Sequence, residues 1–165
     1  MTEYLDQVDK DDNVVGRVTY DEAYENLLSH RIVHVLIFNE KGEMALQLRS
    51  KKKKFAARHW STVVGGHVQA GENYEQAALR EMEEEVGVKL PVVFLRKDQY
   101  SHPMGKNFTK FLGTFKSIYN GPFDINPEEV DRVDFFKMDK IKQMIADGEK
   151  FHPELLFLLK REYGF

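Results

Sequence analysis

Apolar residues alternate with polar ones, or gather into short blocks, along most of the chain. These rhythms predict a run of short strands punctuated by a few helices. Tyr4 to Val8 and Val14 to Val18 read as two strands around a turn at Asp9–Asn13. Thr19 stands where it would cap a short helix from Tyr20 to Leu28, with Glu22 completing a capping box. Two strong strand runs follow, Ile32–Asn39 and Met44–Arg49, joined by Glu40-Lys41-Gly42-Glu43. His34 lies inside the first, where a buried, hydrogen-bonded histidine is expected over a ligand.

Ser50 to His59 reads as a basic loop, Trp60 to Val64 as a strand, and Gly65 to Glu72 as a glycine-rich loop. The stretch from Asn73 to Val86 lacks Gly and Pro and is rich in Ala, Glu, Leu and Met, which predicts a helix. Gly87 is its stop, since Gly is favoured just past a helix C-terminus. Val92 to Tyr100 and Phe108 to Ser117 are two further strands, Pro122 to Pro127 a loop, and Val133 to Lys137 a short strand. Ile141 to Ala146 is helical, and Pro153 opens a last helix whose Leu155, Leu156, Leu158 and Leu159 form an apolar band. This order is not a regular β-α alternation, so the expected fold class is α+β, arranged as a mixed-sheet α/β/α sandwich. At 165 residues and 42% hydrophobic, the chain suffices for one well-buried core and is too short for two ordinary domains. Residues 1–165 are therefore read as a single domain.

The helix from Asn73 carries the chemistry. At about 100° per residue, Glu84 and Glu85 fall about 60° and 40° either side of Glu81, so three carboxylates crowd one stripe. Ala78, Met82, Val86 and Leu79 share the adjacent arc, a core-facing side, while Ala77 within the acidic stripe leaves room for an ion. Glu83 points about 160° away and reads as surface charge. Like charges at these spacings weaken a helix, so their retention together points to a cation. Carboxylate oxygens suit hard divalent ions such as Mg²⁺ or Mn²⁺. A solvated acidic face is the competing reading of EMEEE taken alone; the surrounding Gly66, Glu72, Arg80 and Gly87 weigh against it. Gly65, Gly66 and Gly71 let the preceding segment bend and approach a ligand, and Arg80 reaches Glu84 four residues on.

Composition narrows the classes. A net charge of -3 argues against a dedicated nucleic-acid binder. With no cysteine, disulfides, thiolate metal sites and a cysteine nucleophile are excluded. No apolar run approaches the ~20 residues of a membrane span. The acidic, polar start is unlike a signal peptide, so a soluble cytoplasmic protein is expected. One local exception is basic: Arg49, Lys51, Lys52, Lys53, Lys54 and Arg58 form either a solvated surface loop or a phosphate-attracting rim. Arg49 could hold phosphate oxygens bidentately.

The segment Gly66 to Val88, GHVQAGENYEQAALREMEEEVGV, resembles the Nudix signature G-x5-E-x7-R-E-U-x-E-E-x-G-U, where U is a bulky apolar residue. It fits at all nine specified positions: Gly66, Glu72, Arg80, Glu81, Met82, Glu84, Glu85, Gly87 and Val88. From average composition, a chance match is on the order of 10⁻⁷ per chain of this length. The resemblance implies a sandwich fold of the type already expected. It also implies Mg²⁺- or Mn²⁺-dependent hydrolysis of a nucleoside diphosphate linked to another group. Glu81, Glu84 and Glu85 would then be the metal-binding carboxylates, with the Gly66 carbonyl as a further ligand and Arg80 and Glu72 holding the carboxylates in place. One of the three, or an acid outside the motif, would activate water. Glu128 and Glu129 fall where many Nudix proteins place such an acid, although an exposed turn is the competing reading. Arg49, Lys54, His67 and Glu129 are the candidate substrate contacts, His67 being equally consistent with an exposed loop position.

A second likeness runs from Tyr4 to Val88. His30-Arg31, Val35-Leu36-Ile37-Phe38-Asn39, Leu46-Gln47-Leu48-Arg49-Ser50 and the Lys-rich loop ending at Trp60 resemble isopentenyl-diphosphate isomerases and related Nudix proteins. Those isomerases use a cysteine shortly after the tryptophan; here the segment is Ser61-Thr62-Val63-Val64-Gly65-Gly66. They also usually depart from the full hydrolase motif, which this chain keeps. The leading expectation is a diphosphate hydrolase acting on a small nucleotide derivative, with an isomerase-like enzyme and a non-catalytic nucleotide-sensing module as alternatives. The family also suggests a homodimer. Tyr100, Phe108, Tyr119 and Phe123 could stack a base, but core packing is the expected role of each.

Overall fold

The computed structural model describes residues 1–102 and 108–165. Two short strands, β1 (Tyr4–Val8) and β2 (Val14–Thr19), pair as an antiparallel hairpin ahead of helix α1 (Tyr20–Glu25). Strands β3 (His30–Phe38), β4 (Met44–Arg49), β5 (Trp60–Thr62) and β6 (Val64–His67) lead into helix α2 (Tyr74–Val86). Then come β7 (Val93–Ser101), β8 (Thr109–Ile118), β9 (Val130–Phe136), α3 (Met138–Ala146) and α4 (Pro153–Tyr163). Among the described residues seven strands form one sheet in the order β5-β4-β3-β8-β7, with β6 also on β3 and β9 also on β4. Strands β3 and β8 run parallel and the other pairs antiparallel, so the sheet is mixed.

The sandwich follows from the two-residue period of β3. Val33, Val35 and Ile37 pack with Ala77, Ala78, Met82 and Val86 of α2. Leu36 and Phe38 turn the other way, to Ile141 and Met144 of α3 and Leu155 and Leu159 of α4. Both faces of the central strand are therefore buried, as its near-continuous apolar run requires. The expected α+β class, a mixed-sheet α/β/α sandwich, is the fold observed. Among the described residues no helix is long and apolar enough to cross a membrane.

Several expected boundaries move, each for a local reason. The single strand from Trp60 to Val64 is two: β5 pairs with β4, then after Val63 the chain switches to β3 as β6. Gly65 and Gly66 thus belong to a strand ladder, opposite His34 and Val33, rather than to a loop. Helix α1 stops at Glu25 instead of Leu28 because Leu27 takes a left-handed conformation, φ 52°. Its capping box is formed as expected, Thr19 Oγ1 accepting from the Glu22 N–H at 3.2 Å. Strand β9 starts at Val130, three residues early, extending its ladder on β4. Helix α3 starts at Met138 rather than Ile141.

Candidate active site

Helix α2 is fixed at both ends by local chemistry. Asn73 accepts from the Gln76 N–H at 2.8 Å while Gln76 Oε1 accepts from the Asn73 N–H at 2.9 Å. Gly87 closes the helix with φ 66°, its N–H donating to the Glu83 carbonyl at 3.1 Å. Ala78, Met82 and Val86 are buried as expected, but Leu79 is 38% exposed and Ala77 is fully buried. The buried arc is therefore rotated toward the acidic stripe. It takes in Ala77, which packs in the core, and also Glu85, which is only 5% exposed. Glu83 is exposed and pairs with Lys89 at 2.9 Å.

Arg80 organises the motif. Its Nε and Nη2 donate to the two oxygens of Glu72 at 2.7 and 2.9 Å, a bidentate clasp. Nη2 also donates to the His67 carbonyl at 2.8 Å, and Nη1 to Glu81 at 2.7 Å and Glu84 at 3.2 Å. Burial pushes the Glu72 carboxyl up, but hydrogen bonds from Arg80 and the Gln69 N–H hold it below its usual range.

Glu81 and Glu85 face the two glycines of β6. Successive strand residues point to opposite faces, so Gly65 presents its missing side chain to His34 and Gly66 to Glu81. A Cβ on Gly66 would fall 2.2 Å from the Glu81 carboxyl carbon. Glu85 accepts from the Gly65 N–H at 3.0 Å and from Gln47 Nε2 at 3.4 Å. Burial, with Glu84 and Glu3 nearby, raises Glu81 to about 7 despite Arg80. Burial and then the Glu81 charge raise Glu85 to about 8, Glu129 adding to the push. Two neighbouring acids, Glu85 buried and Glu81 half-buried, are thus short of positive charge. Glu84 is the exposed member, its side chain 56% accessible. As they stand, among the described residues, no three His, Asp or Glu side chains ring a common point where a metal could sit.

The basic loop is largely engaged by protein groups. Lys52 pairs with Glu128, Lys53 with Glu129, and Arg58 with Asp131 at 2.8 Å. Arg49 is partly buried, donates to the carbonyls of Ala56 and Phe55 at 3.2 and 3.0 Å, and has its pKa lowered by burial. Lys51 and Lys54 are exposed and make no ion pair among the described residues. Glu128 and Glu129 do sit at a turn, but their pairing with the Lys loop brings Glu129 within electrostatic reach of Glu85.

His67 is not on an exposed loop. It lies in β6 and its ring turns into an aromatic cluster, Nε2 lying 2.8 Å from the Tyr24 hydroxyl and the ring 5.0 Å from Tyr20 and 5.4 Å from His30. Burial lowers its pKa, so it is neutral. Tyr100 and Phe108 are core residues, as expected, and Tyr119 and Phe123 pack against the α2-side core.

Three residues near the site had no sequence signal. Gln47 reaches Glu85 from β4. Tyr24 holds His67. Glu3 is half-buried, its carboxyl raised by burial with Arg80, Glu84 and Glu72 as neighbours. It is delivered there by β1, which docks through the Ala70 N–H to the Tyr4 carbonyl at 2.8 Å and the Gly71 N–H to Asp6 Oδ2 at 3.0 Å.

The family described as NUDIX domain matches residues 28–159. An uncharacterized Nudix hydrolase of Yersinia pestis is 30% identical over 155 residues, covering 93% of this chain and 82% of the relative. An uncharacterized Nudix hydrolase of Listeria innocua is 32% identical over 134 residues, 79% of each chain. Among solved structures, the crystal structure of DR0079 from Deinococcus radiodurans superposes with a TM-score of 0.83 at 27% identity, covering 98% of this chain and 99% of that one.

Proposed function

The chain belongs to the Nudix family, and from that premise we propose that it hydrolyses the diphosphate linkage of a nucleoside diphosphate derivative, using Mg²⁺ or Mn²⁺ and an activated water that attacks phosphorus. The observation that carries this reading is the pair of buried Glu85 and half-buried Glu81, packed on Gly65 and Gly66 and short of positive charge. The donor set fits a hard divalent ion: oxygen ligands only, no thiolate, and an electrostatic deficit that a cation would relieve. Glu81, Glu84 and Glu85, with the Gly66 carbonyl, would hold it. When bound, the ion would neutralise diphosphate oxygens and make an adjacent water more acidic.

The protein's own groups do the rest. Arg80, clasped by Glu72, orients Glu81 and Glu84 and ties them to the β6 backbone through the His67 carbonyl. The Gly65 N–H and Gln47 orient Glu85. A carboxylate of this group, or Glu129, accepts the proton of the attacking water. Lys54, exposed and without an ion pair among the described residues, and Arg49, within electrostatic reach of Glu85 and Glu129, attract the substrate's phosphates. Glu129, held by Lys53, is read as a further contact there, whereas the His67 ring is engaged by Tyr24 and Tyr20 and only its carbonyl turns to the site, through Arg80. We read residues 1–165 as one domain doing this work.

Intact carboxylates favour turnover over nucleotide sensing. The likeness to isopentenyl-diphosphate isomerases is read as scaffold only, because no cysteine follows Trp60. The test is a screen of ADP-ribose, nucleotide sugars, dinucleoside polyphosphates, oxidised nucleoside triphosphates and isopentenyl diphosphate, with Mg²⁺ and Mn²⁺ and both products identified. Glu84→Gln or Glu85→Gln should abolish metal-dependent phosphate release and leave the protein folded. Wild-type rates in either variant would overturn the assignment.

A further inference from the structure

Glu154, near the start of α4, is only 4% exposed and lies across the sheet from α2. Its carboxylate binds two other buried groups: Lys110 Nζ of β8 at 2.8 Å and His34 Nε2 of β3 at 2.9 Å. Lys110 is 4% and His34 2% exposed. Replacing such a buried ionic cluster with well-packed apolar residues commonly leaves a protein as stable or more so, so stability alone does not account for it. What it does supply is direction, because charge-assisted hydrogen bonds hold their partners in fixed orientations.

Two chains of contact leave this cluster and arrive at Glu85 and Glu81. In the first, His34 is held by Glu154 on one nitrogen and by Thr62 Oγ1 on the other, at 2.7 Å. His34 Nδ1 stands where it would come 2.9 Å from a Cβ on Gly65, so its ring backs that residue. Gly65 in turn presents its N–H to Glu85 at 3.0 Å. In the second, Lys110 Nζ sits 5.2 Å from the Tyr24 ring centroid, and the Tyr24 hydroxyl meets His67 Nε2 at 2.8 Å. The His67 carbonyl accepts from Arg80, which holds Glu81. Both ends of β6 are thereby braced from one carboxylate.

We propose that Glu154 is a positioning residue of the active site, fixing the Gly65–His67 segment from beneath so that Glu85 and Glu81 stand in register. The roles of those two acids rest on the hydrolase reading, so the decisive measurement needs neither metal nor substrate. Glu154→Gln with Lys110→Met removes the carboxylate without leaving a buried ammonium unpaired. Thr62→Val perturbs only the first chain of contact and decides the matter on the same readouts if the double variant does not fold. Asp98→Asn is the control. Asp98 is 6% exposed and also ties α4 to the sheet, directly through Arg161 at 3.1 Å and by way of Arg96, 2.8 Å from Asp98 and 2.9 Å from Glu162, but from the β7 edge.

Amide exchange of Gly65, followed by NMR in the whole protein, should speed up roughly ten-fold in the double variant and less in Thr62→Val, and stay unchanged in Asp98→Asn. Mn²⁺ affinity, measured by electron paramagnetic resonance with the metal alone, should fall roughly ten- to hundred-fold in the double variant. On the best substrate, kcat should fall with KM held. Absence of Mn²⁺ binding and turnover in the wild type would sink the hydrolase reading and leave the exchange result standing. Gly65 exchange at the wild-type rate in a folded Glu154 or Thr62 variant, or an equal rise in Asp98→Asn, overturns the positioning role.

Discussion

Gly66→Ala isolates the placement of Glu81. Gly66 has an ordinary backbone conformation, so alanine adds no strain of its own. The added Cβ would lie 2.2 Å from the Glu81 carboxyl carbon and 2.4 and 2.5 Å from its oxygens. Ordinary contact begins at 3.4 Å, so the carboxylate must retreat by about 1.2 Å. That retreat breaks or bends the 2.7 Å hydrogen bond from Arg80. The two side chains are 20% and 13% exposed, which softens the loss. Stability should fall by about 1–2 kcal/mol, read by urea denaturation without metal. The rate should suffer more: a misplacement near 1 Å costs about a hundred-fold, equivalent to about 2.7 kcal/mol of barrier. The assay is kcat with Mg²⁺ on whichever substrate the screen ranks first. Gly71→Ala is the matched control. Its φ of 85° strains alanine, but nothing lies within 4 Å of the new Cβ, so it should cost about 1 kcal/mol of stability and leave kcat alone. A folded Gly66→Ala protein within about three-fold of the wild-type kcat would refute the link between Glu81 geometry and turnover.

Three further outcomes follow from the same structure. Lys54→Ala should raise KM about three- to ten-fold with kcat unchanged, the effect shrinking as salt is added, whereas Lys52→Ala, already paired with Glu128, should leave KM alone; equal effects would remove the phosphate-rim reading. His152 and His30 are held down to about 3 and about 4, in each case chiefly by burial, with Glu154, Arg49, His34 and Lys110 facing His152 and Lys110, Glu154 and His102 facing His30. A histidine depressed in this way contributes stability that is whole above its ordinary 6.5 and drains as pH falls toward the folded value. Unfolding free energy should drop between pH 6.5 and pH 4 by up to ~1.4 kcal/mol per pH unit for each histidine, and His152→Asn, which keeps the helix cap, should flatten that slope; an unchanged slope refutes the assignment. Met82→Ala empties a fully buried position between α2 and β3 and should cost about 2–5 kcal/mol in a denaturant titration, a loss below about 1 kcal/mol contradicting the packing described.

What the sequence disclosed divides along the range of the interactions involved. Glu81, Glu84 and Glu85 of α2 lie within five residues of one another, and its Gly87 stop and the capping box at Thr19 are as local, so periodicity and residue type sufficed to find them. Gly65 and Gly66 were visible as glycines, but glycine marks loops and close strand approaches alike, and only the pairing of β6 with β3 decides between them. The basic loop was visible as charge, yet charge counts do not say that Lys52 and Lys53 are matched by Glu128 and Glu129. Glu154 was the least legible of all. An acid just after a proline at a helix start is what the helix dipole favours anywhere on a protein surface, so its type and position carry no mark of burial. Its meaning comes from strands β3 and β8, distant in sequence, which deliver His34 and Lys110 to the same point beneath β6. Long-range convergence of this kind places the supports of an active site beyond the reach of local pattern, even where the reacting groups themselves are written out in a single helix.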